Sequence, residues 1–341
     1  MKIRLFFYKH RFTCLIILIV ALFLFIVCGN KQPSKSIKSN LHYNGYFPHD
    51  IDWNLDKTPS RAIVLRPEIA DTLIKLGAGK SVIAAYISPE RERDIDYFCE
   101  NMPNAEILST DLSKEEAILM NPDIIIGWNG SFSGKTLGDT AYWNKRKVKT
   151  YIEENSGALP DPYPPFKHSD YPPFSVANEI QFIKNMGTIF RREDSAKAEI
   201  DKINNTLAEV RKLAKEKGPR TVLTMQFRHG KIEVLGDNSL SGDIIKQIGC
   251  TNISYFGLLM PIENLLVLNP DSIIVIYDYI GGDASLENQI LLLKSYPYNQ
   301  IPVVNSDHIG AMQYFNDLVA TNVHTSDSIW KIYKAIYEPS I

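Results

Sequence analysis

Cysteine is scarce in this chain, and no two cysteines stand close enough in sequence to share a metal. Four occur, Cys14, Cys28, Cys99 and Cys250, with no Cys-x-x-Cys and no Cys/His run at ligand spacing, so nothing resembles a zinc-type cluster. A bare-metal site would have to draw on His168, His229, His308 and His324, which are scattered and form no H-x-x-x-H pair. A basic excess is also missing. The 37 Lys and Arg against 39 Asp and Glu give a net charge of -2, which offers nothing to neutralise a phosphate backbone, so nucleic acid is excluded as the expected partner. Catalytic signatures are incomplete too. NGSFSGKT (129–136) ends like a nucleotide-binding loop, but Asn129 stands where the first glycine of G-x-x-x-x-G-K-[ST] belongs. Gly130-Ser131-Phe132-Ser133-Gly134 puts Phe at the nucleophile position of G-x-S-x-G. Binding without catalysis or a resident cofactor is the expectation.

What is present begins with a polarised N-terminus. MKIRLFFYKHRF carries five basic or His residues, and TCLIILIVALFLFIVC after it has no charge, the layout of an export signal. As a helix, Thr13 to Val27 spans roughly 22 Å, short of the ~30 Å hydrocarbon core, which favours a cleaved or anchored signal over a full span. Phe25-Ile26-Val27-Cys28-Gly29-Asn30 resembles the lipobox of bacterial lipoproteins, which implies lipidation of Cys28. Val27 departs from the small residue such boxes carry before the Cys, and an uncleaved signal anchor is the alternative. Either way the folded part lies outside the cytoplasm. Residues 1–28 thus read as a lipoprotein-type signal, and polar 29–58 as a flexible tether. Cys99 and Cys250 are expected as free thiols.

With 341 residues, 45% hydrophobic and 22% charged, the chain can bury two cores. A β/α alternation starts at AIVLR (62–66), continues through a helix from Ile69 to Leu76, and adds strands at VIAAYI (82–87), DIIIG (123–127) and VKTYI (148–152). It resumes with TVLTMQF, KIEVLG, a helix in GDIIKQIG, the strand SIIVIYD and a last strand near PVVN (302–305). The pattern predicts an N-terminal lobe over 59–192 and a C-terminal lobe over 219–341. Between them, Ala196, Ile200, Ile203, Leu207, Val210 and Ala214 recur in steps of four and three. That spacing predicts one helix over 193–218, capped by Asp194 or Ser195 and ended by Gly218-Pro219. A single stiff link predicts limited hinge motion. ALPDPYPPFKHSDYPPFS (158–175), with six prolines and four aromatics, reads as a stiff surface crossover or as an aromatic wall for a ligand.

A phrase is written twice. EEAILMNPDIII (115–126) and ENLLVLNPDSII (263–274) share the Glu, the Asn-Pro-Asp and the last two Ile over twelve positions. Pro disfavours helix in the residue before it, so each copy predicts a helix that ends at Asn-Pro-Asp and an apolar strand after it. The turn explains Asn-Pro-Asp, but it has no need of a Glu six residues earlier.

With RPEIADTLIKLGAGKSVIAAY, GDIIKQIGCTNI and the long helix, these phrases resemble the periplasmic binding protein family that serves ABC importers of ferric siderophores, haem and cobalamin. The resemblance covers about residues 60 to 337. It implies two Rossmann-like α/β lobes joined by a single long backbone helix, the class III arrangement. It also implies that Glu115 and Glu263 dock onto arginines of the importer's membrane subunits, which work with a cytoplasmic ATPase.

Ligands of open α/β sheets bind beyond the carboxyl ends of the strands. The loops there supply Arg66 and Glu68, Tyr86 and Ser88, Trp128 and Asn129 from the first lobe. The second supplies Gln226, Arg228 and His229, then Tyr277 and Tyr279, and His308 after the expected last strand. Arg forks and aromatic planes suit the anionic oxygens and organic shell of a metal chelate. Haem would want an axial His or Tyr, which His229, His308 or Tyr279 could supply. The expected function is a monomeric, lipid-anchored receptor for an iron-siderophore-type chelate, with a haem or cobalamin receptor and a sensor module as alternatives.

Overall fold

The computed structural model describes residues 40–43, 51–54, 57–156, 174–228, 231–253, 261–278, 285–306, 308–313 and 321–339. The signal, Cys28, most of the proline-rich crossover, His229 and Tyr279 lie outside them. Two short strands, β1 (Asn40–Tyr43) and β2 (Ile51–Asn54), pair within the stretch that reads as a tether.

In the first lobe, β3 (Ala62–Val64), β4 (Val82–Tyr86), β5 (Glu106–Leu108), β6 (Ile124–Gly127) and β7 (Lys149–Ile152) form a parallel sheet in the order β5-β4-β3-β6-β7. Its central strands are continuous apolar runs because a parallel sheet is covered on both faces. Residues 62 to 64 and 124 to 126 are fully buried. The edge strand β5 is not among the strands expected from sequence: three residues, one of them an exposed Glu106, carry too little pattern. The helices are α1 (Pro67–Lys75), α2 (Ile95–Asn101), α3 (Lys114–Leu119) and α4 (Thr140–Lys145).

Two helices then lie antiparallel in sequence order, α5 (Val176–Phe190) and the 25-residue α6 (Glu193–Lys217). They approach closely at Gly187, where a Cβ would come within 2.5 Å of the Ala196 methyl. The expected stripe of α6 is buried at Ala196, Ile203, Leu207, Val210 and Ala214, with Ile200 half-buried. Asp194 and Ser195 fall inside the helix, and Arg192 holds the cap position without a side-chain bond. Instead its Nε donates to the Gly77 carbonyl of the first lobe at 3.1 Å. At the other end Gly218 turns the chain at φ 90°, and Arg211 Nε donates to Gln247 O of the second lobe at 2.6 Å. The helix therefore runs from one lobe to the other.

The second lobe holds β8 (Thr221–Arg228), β9 (Lys231–Val234), α7 (Leu240–Gln247), β10 (Thr251–Asn252), α8 (Ile262–Leu268), β11 (Ser272–Tyr277), α9 (Leu286–Leu293), β12 (Ile309–Gln313) and α10 (Thr325–Tyr337). The parallel order is β10-β8-β11-β12, with β9 antiparallel on β8. PVVN, expected as the last strand, is a 3-10 turn (Pro302–Asn305) that begins at a proline. The strand follows at IGAMQ, whose glycine weakens the β signal. That glycine is needed, because a Cβ on Gly310 would meet Ala335 of α10 at 2.5 Å.

Both copies of the repeated phrase share one geometry. Asn121 and Asn269 turn out of their helices in the left-handed region, at φ 47° and 41°, which Asn tolerates better than most residues. After each proline, the aspartate grips the start of the lobe's first strand. Asp123 accepts from the backbone N–H groups of Ser60 (2.8 Å) and Arg61 (3.1 Å), and Asp271 from Thr221 N–H (2.7 Å) and its hydroxyl (2.8 Å).

Candidate ligand-binding site

Each sheet reverses its strand order beside its first strand. From β3 the chain moves one way to β4 and β5, then returns to β6 on the other side. From β8 it moves to β10, then returns to β11. Loops that leave two neighbouring strands in opposite directions open a crevice at their carboxyl ends, where ligands of such sheets bind. The crevice of the first lobe falls between Leu65-Arg66 and Trp128. That of the second falls between Arg228 and Tyr277.

In the first lobe the crevice is a small hollow of about 50 Å³ lined by Leu65, Tyr86, Leu112, Trp128, Ser131 and Thr136 among others. Tyr86 ends β4 and Trp128 follows β6, the strands on either side of β3, so both aromatics line the same hollow. Trp128 is 45% exposed, and its ring lies over Gly130, where a Cβ would come within 2.5 Å of the indole. The Gly/Ser loop is thus glycine-rich so that an indole can rest on backbone. Its Gly-Lys-Thr is tied to itself: the Thr136 hydroxyl donates to Ser131 O at 2.8 Å and accepts from Ser133 N–H at 3.1 Å.

Arg66 does not behave as a free fork. Its side chain is 13% exposed, with Nε 3.2 Å from Glu68 Oε2 and Nη1 3.8 Å from Glu153 Oε2. Burial works against its charge, but Glu68 and Glu153 outweigh burial and hold its pKa above the ordinary value. The expected ligand contact is thus already engaged within the protein by Glu68 and Glu153. Its guanidinium belongs to a buried polar cluster behind the hollow, which sequence reasoning missed.

Around Arg66 and Glu68, that cluster gathers residues from three further parts of the chain. Glu153, Glu154 and Asn155 follow β7, and Glu153 N–H donates to Gly127 O, just before Trp128, at 3.0 Å. Glu179 and Asn185 come from α5, Asn322 from the 3-10 turn just before α10, and Thr325 from the first position of α10. Asn322 Nδ2 donates to Glu153 Oε1 at 2.5 Å. Glu179 accepts from Asn155 Nδ2 and from Asn322 N–H. Glu154 accepts from Tyr151 OH (2.5 Å) and Asn185 Nδ2 (3.1 Å). Burial is the main cause that raises Glu153 to about 7 and Glu154 and Glu179 to about 8. Beside it, His324 lies between Asp327 at 3.7 Å and Asp71 at 3.1 Å, which lift it to about 9. Among the described residues no cluster of His, Cys, Asp and Glu has the geometry of a metal site.

In the second lobe Arg228 is 60% exposed and leans on Glu233 of β9, 3.6 Å away, while half-buried Tyr277 ends β11. His308 is misplaced by the sequence reading. Because β12 starts at Ile309, His308 precedes the strand, and its carbonyl accepts from Ile273 N–H at the start of β11. It sits at the amino-terminal end of the strands, away from the carboxyl ends that carry Arg228 and Tyr277, so its expected place after the last strand is corrected.

Glu115 and Glu263 are exposed on α3 and α8. Glu116, not Glu115, forms the capping box with Ser113. Cys99 is exposed and Cys250 buried, both as free thiols. Among the described residues no helix is long and apolar enough to cross a membrane.

Residues 63–278 match the family described as periplasmic binding protein. The chain is 27% identical over 282 residues to the petrobactin-binding protein YclQ of Bacillus subtilis (strain 168), covering 78% of this chain and 80% of that one. Its fold is similar to that of a periplasmic binding protein from Veillonella parvula DSM 2008, with TM-score 0.69, 21% identity, and 82% and 85% of the two chains covered. It is also similar to the periplasmic heme-binding protein RhuT from Roseiflexus sp. RS-1, with TM-score 0.58, 19% identity, and 81% and 98% covered.

Proposed function

Because the chain belongs to the periplasmic binding protein family, we propose that it is the extracytoplasmic substrate-binding component of an ABC importer and that its cargo is a ferric siderophore. The observation that carries this reading is the pair of matching switch points. One lobe offers the aromatic wall of Tyr86 and Trp128, and the other offers the exposed fork of Arg228 beside Tyr277. Phenyl and indole planes cover the organic shell of a chelate, and a guanidinium pairs with its anionic oxygens. Petrobactin binding by a relative points to the same class. For haem, the position of His308 before β12 leaves His229 or Tyr279 as the expected axial ligand.

Half-exposed Trp128 provides the test. Saturable quenching of tryptophan fluorescence is expected when a ferric catecholate siderophore is added, and most of the response is expected to vanish in Trp128→Phe. Quenching by haemin or cobalamin but not by the siderophore would reassign the cargo. Silence toward all three would rule out a chelate receptor.

The protein is held at the outer face of the membrane through lipidated Cys28, with Glu115 and Glu263 docking onto permease arginines. Mass spectrometry of the mature protein is expected to find diacylglyceryl-Cys28 as the first residue. An intact Met1 would instead establish an uncleaved anchor.

A further inference from the structure

The two copies of the repeated phrase agree in exposure as well as in letters. Four positions coincide between α3 and α8. The leading Glu115 and Glu263 are exposed. Ala117 and Leu265 are fully buried, Ile118 and Leu266 are 39% and 40% exposed, and Leu119 and Val267 are both 84% exposed. One exposed aliphatic residue on a protein surface needs no explanation. Two at matching positions of a duplicated unit are different, because the folding of each lobe is served by the buried position and the Asn-Pro-Asp turn alone.

Residues three and four apart share a helix face. Each carboxylate therefore stands one turn before an aliphatic pair, Ile118-Leu119 in one lobe and Leu266-Val267 in the other. Among the described residues no hydrogen bond or ion pair engages Glu115 or Glu263. An ion pair gains strength as water is removed from around it, and apolar neighbours that exclude water are the usual surround of an energetic interface contact.

We infer that each lobe docks through a composite footprint, a carboxylate backed by an aliphatic knob, and that the permease presents on each of its two halves an arginine at the rim of an apolar socket. Leu119 and Val267 are the knobs. This rests on the importer reading above and adds the chemistry of the partner surface: acid alone does not hold the receptor, and a basic patch without a socket does not receive it. Duplication of the footprint fits a partner built from two similar halves.

The test uses the full lipid-anchored protein and the permease–ATPase complex in nanodiscs. Leu119→Ser with Val267→Ser is expected to leave the unfolding temperature and siderophore quenching unchanged, since both side chains are already in water. Docking is expected to weaken by about tenfold or more for each knob lost. Leu119→Met with Val267→Ile, which keeps apolar volume, is expected to restore most of it. Serine variants that dock as tightly as the parent would overturn the footprint while leaving the importer reading in place. A parent that does not dock at all would overturn both. Loss in the serine variants of self-association, or of binding to bare lipid nanodiscs, with docking unchanged would assign the knobs to a second copy or to lipid and overturn the inference.

Discussion

Replacing Glu115 and Glu263 together by lysine is expected to reduce uptake of a radioiron-loaded siderophore to that of cells lacking the protein, with quenching titrations unchanged. Placing like charges opposite each other across an interface costs several kcal/mol per site, and here the sign is reversed at both. The cost to the fold is small. Glu116 makes the capping box that fixes the start of α3, and an exposed charge in a first helical turn contributes about 0.3–1 kcal/mol. Either substitution alone is expected to leave a measurable fraction of uptake, because the second contact still orients the receptor. Uptake by the double variant at the parental rate would refute docking through these carboxylates.

A second large effect is expected from pH. Arg66 is a single buried cation among Glu68, Glu153, Glu154 and Glu179, and four carboxylates cannot all ionise around it in a site closed to water. Glu153, Glu154 and Glu179 have folded pKa values raised from 4.5 to about 7, 8 and 8. The folded protein therefore holds protons that the unfolded chain releases above pH 4.5. Their contribution to stability is complete below that point and is lost as pH rises through 7 to 8. His324, raised from 6.5 to about 9, contributes fully below 6.5 and loses its contribution as pH rises through 9, so it acts in the same direction. Between pH 5.5 and 8.5 the unfolding temperature is expected to fall by about 5 °C or more, the equivalent of about 2–4 kcal/mol. Glu179→Gln, which fixes one site in the neutral state, is expected to flatten the slope and to be most stabilising at the alkaline end. A melting temperature that rises with pH across this window would contradict the account.

The sequence made the architecture readable where local physics decides it. Strands buried on both faces announce themselves as apolar runs, the 4-3-4 spacing of Ala196 to Ala214 fixes one helix face, and Asn-Pro-Asp marks a turn whose left-handed asparagine and gripping aspartate the structure supplies. That Trp128 and Tyr86 both lie at the carboxyl end of the first lobe's sheet is legible because parallel strands align their ends. What could not be read is long-range pairing. Arg66 looks like any arginine after a strand until Glu153, 87 residues later by number (153 minus 66), is seen beside it. Glu153 in turn meets Asn322 at a separation of 169 residues. His308 is misread for a different reason: an apolar PVVN outranks the glycine-bearing IGAMQ, and a shift of a few residues moves the histidine from the carboxyl end of the last strand to its amino end.

The cluster behind the hollow also closes in a fixed order along the chain. Glu179 takes its hydrogen bond from the backbone of a residue 143 positions further on, and Glu153 waits still longer for the same asparagine. In a chain made from its N-terminus, the first lobe's sheet and the long helix are complete well before Asn322 and Thr325. Until those residues are made, Glu179 and Glu153 lack the Asn322 donors that they meet in the folded protein. The turn that carries Asn322 follows every described strand in sequence, so the last hydrogen bonds of the cluster can close only after all of those strands have been made.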